Sequence, residues 1–315
     1  MKQALIVAFL GTVRDRFTQM GEPLSIREKL RRAALIPGVE GAEIIFPDEC
    51  HEPSEVLEAL AETGLVPAAI NVNLKGRPEF QKGALSVCDP EIRGMAVDQI
   101  IKAKEFALRA GAERVTCAPL ADGVDYALQQ NHAGAWRRTV ETLQTAIEEG
   151  PNVPLYLEHK PSDPRVHGLL SSSDIVLQLL HDIGQQGAGI TFNVGHSSLD
   201  GLSPAASLAQ VLESGVPLYV HLCDAAGGWD WDLLPGSYHP WHLLEFLQGL
   251  SASGYDGWLT SDSFPLRHES RAFSAEHIQR TASALRTAES APGHRPGSDS
   301  VFSWKDLEAW LFPSN

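Results

Sequence analysis

The chain has few cysteines, and no two of them have metal-binding spacing. Cys50, Cys88, Cys117 and Cys223 are its four cysteines, and none forms a CxxC pair. This scatter supports neither a zinc ribbon nor a disulfide framework. We therefore expect a protein of a reducing compartment, with the cytoplasm as the default location.

Basic residues are also scarce, since 25 lysines and arginines face 40 aspartates and glutamates, for a formal net charge of −15. The sequence also has no run of basic residues. Neither nucleic acid nor an anionic membrane surface is therefore an expected partner. No stretch approaches the roughly 18 apolar residues of a membrane span. The N-terminal MKQALIVAFLGTVRDRF places charges directly after a short apolar run and lacks a small-residue cleavage site. It therefore predicts a first strand and not a signal peptide.

Hydrophobic residues make up 43% of the 315 residues, enough for a large core. Short apolar runs alternate with amphipathic helical stretches, as expected of βα units around a parallel sheet. The predicted strands lie near 3–9, 42–46, 66–72, 113–117, 153–158, 189–194, 217–222 and 257–262. The predicted helices lie near 25–36, 53–63, 90–110, 132–148, 173–184, 204–214, 240–253 and 274–287. Eight units of each kind predict an α/β fold, a closed (β/α)8 TIM barrel.

A doubly wound sheet would also alternate strands with helices, but it usually carries a glycine-rich phosphate turn after its first strand. GTVRDRF has a single glycine there, so the barrel is preferred. We predict one barrel domain over 1–287 and a C-terminal extension over 288–315. Residues 288–302 have the composition of a linker, and 303–312 (SWKDLEAWLF) predict a short amphipathic helix that docks on the barrel or on a neighbouring subunit.

Polar side chains follow the last four predicted strands, where a barrel places its reactive groups. The strand ends read LEHKP (157–161), FNVGH (192–196), VHLCD (220–224) and TSD (260–262), and WDWD follows at 229–232. Carboxylate, amide and imidazole ligands suit a divalent ion such as Mn²⁺ or Mg²⁺. A ligand set without a thiolate argues against structural zinc.

Each of these residues also has an ordinary structural explanation. Glu158 could cap a helix or pair with Arg165, and His221 could be a core histidine. Asp230 and Asp232 could belong to a solvated turn. The conjunction favours a metal site, because four consecutive strand ends each offer a ligand at the same rim.

The motifs resemble the xylose isomerase-like barrels, and among them the L-rhamnose isomerase and xylose isomerase branch. Those enzymes present Glu-x-Lys-Pro at strand five and an acidic residue three positions before His at strand six. A His or Asp at strand seven, an Asp-x-Asp after it and an Asp at strand eight complete the pattern. The matching residues here are Glu158 with Lys160 and Pro161, Asn193 with His196, His221, Asp230 with Asp232, and Asp262.

This resemblance implies a metal-dependent isomerase that interconverts an aldose and a ketose at C1/C2 of a small carbohydrate. The implied ligands of a first ion are Glu158, Asn193, His221 and Asp262, and those of a second ion are His196, Asp230 and Asp232. The ion would be Mn²⁺, or else Mg²⁺ or Co²⁺. Lys160 would donate a hydrogen bond to the substrate carbonyl, and the other implied catalytic residues are Glu158, His196, Asp230 and Asp232. Candidates for substrate contact are Arg165, Trp229 and His51, and we expect a homo-oligomer, a dimer or tetramer.

One position departs from the pattern, since the strand-six residue that usually bridges the two ions is Asp or Glu and here is Asn193. An amide carries no charge to offset the repulsion of two dications. We therefore expect one tight ion, with the second site empty, hydrated or dependent on substrate.

Other activities of similar barrels stay open at this point. Ketose 3-epimerases use the first and last carboxylates as acid and base but usually lack the Glu-x-Lys-Pro and Asp-x-Asp motifs. Nothing in the sequence excludes a third activity, that of a metal-dependent lyase that cleaves carbon–glycosyl bonds. Endonucleases for abasic DNA carry extra histidines on earlier strands, whereas 66–131 contain none. The hypothesis of a sugar-binding protein with a degraded site would rest on Asn193 alone. Measuring bound metal would distinguish such a protein from an enzyme.

Overall fold

Eight parallel strands close into a barrel in the computed structural model, which describes residues 1–14, 19–163, 166–184, 186–265 and 267–291, apart from the side chains of 229–231. The strands are β1 (Lys2–Ile6), β2 (Gly41–Phe46), β3 (Val66–Val72), β4 (Val115–Cys117), β5 (Leu155–Glu158), β6 (Ala188–Asn193), β7 (Leu218–Leu222) and β8 (Trp258–Ser261). Each pairs with its sequence neighbour, and β8 pairs with β1. The predicted (β/α)8 barrel is confirmed.

Helices lie between the strands, as in other barrels of this class. They are α1 (Ile26–Ala34), α2 (Pro53–Thr63), α3 (Pro90–Ala110), α4 (His132–Glu149), α5 (Ser173–Ile183), α6 (Val194–Leu199), α7 (Pro204–Ser214), α8 (Pro240–Ala252) and α9 (Ser270–Ser290). Their ends follow local chemistry. Helix α7, for example, begins after Ser203, whose hydroxyl accepts from the Ala206 N–H, and ends at Gly215 with φ of 69°. Among the described helices, none combines the length and the apolar character needed to cross a bilayer.

The predicted bounds of α2, α3 and α7 agree with the structure, and two predictions need correction. The one-and-a-half-turn helix α6 was not predicted, because NVGHSSL has too few apolar residues to show a helical period. Helix α9 ends at Ser290, so the first residues of the predicted linker continue a helix. The predicted helix over 303–312 lies outside the described residues.

Three short sheets lie outside the barrel, in the loops that follow its strands. Gly123–Val124, Val166–Gly168 and Ser162–Asp163 form one, and Asp224–Ala226 pairs with Trp229–Leu233 in another. The third joins Val13–Arg14 to Gln19–Met20. Because these segments follow β1, β4, β5 and β7, they surround the carboxyl ends of the strands. They therefore build the walls of the rim at which the predicted site residues lie.

Candidate metal centre and active site

Three predicted ligands converge at the carboxyl ends of β5, β7 and β8. Nδ1 of His221 lies 3.3 Å from Oε2 of Glu158 and 3.6 Å from Oδ2 of Asp262. Strand register explains the meeting, since His221 lies opposite Thr260 in the β7–β8 pair and Asp262 follows that strand directly. Only 4% of the Glu158 side chain and 1% of the His221 side chain are exposed, so these charges face each other away from bulk water.

Asn193 lies in the same group, with its amide nitrogen facing the carboxylates. Nδ2 donates to Oε1 of Glu158 at 2.9 Å and to Oδ2 of Asp262 at 2.8 Å. Oδ1 accepts from the backbone N–H of His196 at 3.2 Å, which caps helix α6. A backbone N–H can only donate, so this cap fixes the amide orientation. The residue therefore presents hydrogens to the site, whereas the sequence led us to expect an oxygen ligand.

His196 also joins this group, although the sequence suggested that it belongs to a second one. Its Nδ1 lies 3.2 Å from Oε1 of Glu158 and 2.8 Å from the carbonyl oxygen of His159. Ligand atoms of Glu158, His196 and Asp262 all lie within 4.8 Å of one another. Gly195 permits this placement, because a Cβ there would lie 2.5 Å from Sγ of Cys223.

A second group contains Asp232 together with a residue that had no predicted role. Sγ of Cys223 and carboxylate oxygens of Asp232 and Asp262 lie within 4.8 Å of one another. Asp262 thus belongs to both groups, and Cys223 also donates to Oδ1 of Asn193 at 3.2 Å. The only sequence signal for Cys223 was its place in VHLCD at the end of β7.

The site opens into a cavity of about 310 Å³, at the lower end of the roughly 300–1,000 Å³ range of small-molecule sites. Glu158, His196, His221 and Asp262 line it together with Lys160 and Asp232. Nζ of Lys160 lies 3.5 Å from Oδ1 of Asp163. The rings of Phe9 and Phe264 meet edge to face at 5.6 Å and supply an apolar wall.

His51, one of the predicted substrate-contact residues, does not line the cavity. His51 is exposed and lines a separate depression beside Lys29 and Glu52. Arg165 and the side chains of Trp229 and Asp230 lie outside the described residues.

Sequence reasoning missed Glu43, a fully buried carboxylate on β2. Its Oε2 accepts from Nε2 of His221 at 2.9 Å, on the ring edge opposite the metal group. The signal was a lone acid inside the apolar strand GAEIIF. Burial raises the pKa of Glu43, but the positive charge of His221 and the donated hydrogen bonds outweigh burial and lower it.

The buried charges set one another's ionisation. Burial lowers the pKa of His221, but the negative charges of Glu43 and Glu158 outweigh burial and hold that pKa well above its ordinary value. Burial would raise the pKa of Glu158, but His221 and His196 outweigh it and hold it well below. For Asp262 burial prevails, and its pKa is raised. Without a metal, His221 is therefore the cation that balances these carboxylates.

Comparison with known proteins agrees with this architecture. Residues 30–287 match the family described as xylose isomerase-like TIM barrel. Xylose isomerase of Thermus thermophilus is 27% identical over 218 residues, 67% of this chain and 56% of that protein, and xylose isomerase of Thermus caldophilus is also 27% identical, over 217 residues. The chain thus spans about half the length of these curated relatives.

Solved structures share the fold at low sequence identity. An L-ribulose 3-epimerase superposes with a TM-score of 0.70 at 17% identity, covering 92% of this chain and 96% of that one. A 3-keto-D-glucoside 4-epimerase from E. coli has a TM-score of 0.67 at 17% identity, covering 90% and 99%. A xylose isomerase domain protein from Alicyclobacillus acidocaldarius has a TM-score of 0.66 at 21% identity, covering 92% and 99%. The match over most of its length shows that the chain belongs to the xylose isomerase-like TIM barrel family.

Proposed function

We propose that the chain is a divalent-metal-dependent sugar isomerase that interconverts an aldose and a ketose at C1/C2. The observation that carries the proposal is the convergence of Glu158, His221 and Asp262 in a sugar-sized cavity that Lys160 also lines. The sequence identity to the Thermus xylose isomerases supports it. The cytoplasmic location and the dimer or tetramer expected from the sequence are part of the same proposal.

The donor set fits a divalent ion. Nδ1 of His221 is buried and has no well-aligned hydrogen-bond partner in the described part of the chain, although two carboxylate oxygens lie 3.3 and 3.6 Å away. A protonated imidazole balances the two carboxylates in the metal-free chain, and a divalent ion that displaces the Nδ1 proton would satisfy the nitrogen and both carboxylates together. Glu158, His221 and Asp262 would hold the ion, with His196 adjoining, and nitrogen with oxygen ligands suits Mn²⁺, Mg²⁺ or Co²⁺. When bound, such an ion supplies Lewis acidity that polarises a carbonyl and favours ionisation of the neighbouring hydroxyl.

The chain's own side chains supply the remaining requirements. An aldose–ketose interconversion moves one hydrogen between C1 and C2 while negative charge develops on the carbonyl oxygen. Lys160 can donate a hydrogen bond to that oxygen, which lowers the barrier only if the ammonium is held in place. Asp163, 3.5 Å from Nζ, orients it. The Phe9 and Phe264 rings exclude water from one side of the cavity.

A ketose 3-epimerase is the second candidate, favoured by one specific feature. Oε1 of Glu158 and Oδ2 of Asp262 accept from the same amide nitrogen of Asn193. These two hydrogen bonds hold in place the two carboxylates that would act as acid and base in such a reaction. An epimerase would not require Lys160, so that residue separates the two functions.

Removing the metal should abolish activity. We expect the chelator-treated chain to be inactive towards a panel of aldoses, ketoses and 3-oxo glycosides, and Mn²⁺ to restore turnover. Asp262→Asn should weaken Mn²⁺ binding at least about tenfold, because it removes a charged ligand. Asp256→Asn, at an exposed acid near β8, is the matched control and should bind Mn²⁺ normally. Full activity of the metal-free chain would overturn the proposal.

Lys160→Met should lower kcat for an aldose or ketose by about 100-fold, because a hydrogen bond to the developing oxyanion is lost. Bound Mn²⁺ should not change, since Lys160 is not one of the proposed ligands Glu158, His221 and Asp262, and its Nζ lies 3.5 Å from Oδ1 of Asp163. Lys82→Met, at an exposed lysine outside the cavity, serves as the control. Steady-state kinetics and metal analysis check this prediction, and intact turnover in Lys160→Met would favour the epimerase.

Calorimetric titration should find one tight Mn²⁺ site per chain. The amide of Asn193 cannot offset the repulsion of two neighbouring dications. Asn193→Asp should create a second measurable site by adding charge between Glu158 and Asp262. Two equally tight ions in the unmodified chain would show that Asp262, shared by both ligand groups, supplies the bridging charge.

Metal affinity should rise with pH. The pKa of His221 is raised, against the effect of burial, by the negative charges of Glu43 and Glu158, so below that pKa Nδ1 carries a proton in the metal-free chain, and the ion must displace that proton. Below that pKa, Mn²⁺ affinity should fall about tenfold per pH unit, with about one proton released per ion. Titrations in two buffers of different ionisation enthalpy count the protons. An affinity independent of pH would contradict the assignment of Nδ1 as a ligand atom.

A further inference from the structure

Glu43, inside the barrel, is a carboxylate that the proposed reaction does not use. Glu43 is 0% exposed, and each of its oxygens accepts two hydrogen bonds. The donors are Nδ2 of Asn71 at 2.7 Å and Oγ1 of Thr116 at 2.8 Å to Oε1, and the hydroxyl of Tyr219 at 2.8 Å and Nε2 of His221 at 2.9 Å to Oε2. These donors stand on β3, β4 and β7. The carboxylate is therefore held from several sides and cannot turn.

The bond to His221 decides which ring nitrogen carries a hydrogen. The oxygens of Glu43 act as acceptors for the surrounding donors, so Nε2 of His221, at 2.9 Å from Oε2, is the N–H nitrogen. Nδ1 is then the nitrogen whose lone pair is available to a cation, and it is the one that faces Glu158 and Asp262. The hydrogen on Nε2 is present with or without metal, whereas Nδ1 gives up its proton when the ion binds.

We propose that Glu43 is a positioning residue that fixes the tautomer and the ring orientation of His221, and thereby sets the affinity of the metal centre. This inference rests on the proposed function, because it concerns the same centre. Glu43 lies behind the imidazole, so its negative charge also makes Nδ1 a stronger donor to a cation. The residue touches neither substrate nor metal.

Tyr219 completes this support on the Glu43 side of the ring. Its hydroxyl donates to Oε2 of Glu43 and accepts from Oγ1 of Thr260 at 2.6 Å. The Tyr219 and His221 rings, two residues apart on β7, lie with centroids 5.4 Å apart at 68°. The ring of His221 is thus confined by one aromatic edge and by one carboxylate oxygen.

The two oxygens of Glu43 provide matched variants. Glu43→Gln removes the negative charge behind His221, and whichever way the amide turns, its NH₂ group faces two donors, so the tautomer of His221 is no longer held by an anionic acceptor. Thr116→Val is nearly isosteric and removes one bond to Oε1 alone, leaving Oε2 and His221 untouched. Both changes disturb the same buried network, but only the first reaches the imidazole.

The first test is calorimetric titration of the full-length metal-free chain with Mn²⁺, with circular dichroism and melting temperature measured on each variant. Glu43→Gln should bind Mn²⁺ about 10–100-fold more weakly, whereas Thr116→Val should stay within about twofold of the unmodified chain even where its melting temperature falls. Native affinity in folded Glu43→Gln, or equal weakening in both variants, would overturn the inference.

The second test uses the unmodified chain and does not depend on how a variant folds. In chain labelled with ¹⁵N-histidine and loaded with diamagnetic Mg²⁺, the His221 resonances, assigned with His221→Asn, should show the proton on Nε2. A proton on Nδ1 would overturn the inference. Mn²⁺ binding with the wrong tautomer contradicts this inference alone, whereas a chain that binds no Mn²⁺ or Mg²⁺ contradicts the proposed function as well.

Discussion

Burying a carboxylate costs several kcal/mol unless donors and an opposite charge surround it, and this barrel gathers three carboxylates around His221. Glu43 accepts from one ring nitrogen, while Glu158 and Asp262 face the other. The imidazole is therefore the group through which the barrel interior and the rim are connected. Removing it would leave buried negative charge without a partner, and adding a dication at the rim would satisfy the same charge.

Asn193, where the sequence departs from the family pattern, makes contacts that a carboxylate could not all make. Its oxygen caps helix α6, which brings His196 towards Glu158, and its nitrogen binds the two rim carboxylates. A carboxylate at this position could still cap the helix but could not donate to Glu158 and Asp262. The amide therefore stabilises a cluster with a single cation, which is the arrangement that the one-ion proposal requires.

Backbone geometry decided which residues of the site could be predicted from the sequence. Glu158, His221 and Asp262 were predictable because strand ends are marked by apolar runs and all meet at one rim. Glu43 was not, since an acid inside GAEIIF has the same pattern whether it faces solvent or the barrel axis. The amide orientation of Asn193 and the approach of Cys223 depend on helix α6, whose short polar sequence carries no periodic signal. The position of His51 could not be predicted, because loop conformation leaves no periodic pattern in the sequence.

We infer that Glu158, His221 and Asp262 hold a divalent ion. Anomalous diffraction from crystals grown with Mn²⁺ tests it most directly, because the scattering locates the ion itself. We expect one strong peak within about 2.0–2.6 Å of both carboxylates and of Nδ1 of His221. No peak at this position, or a peak bound only by Cys223 and Asp232, would contradict it.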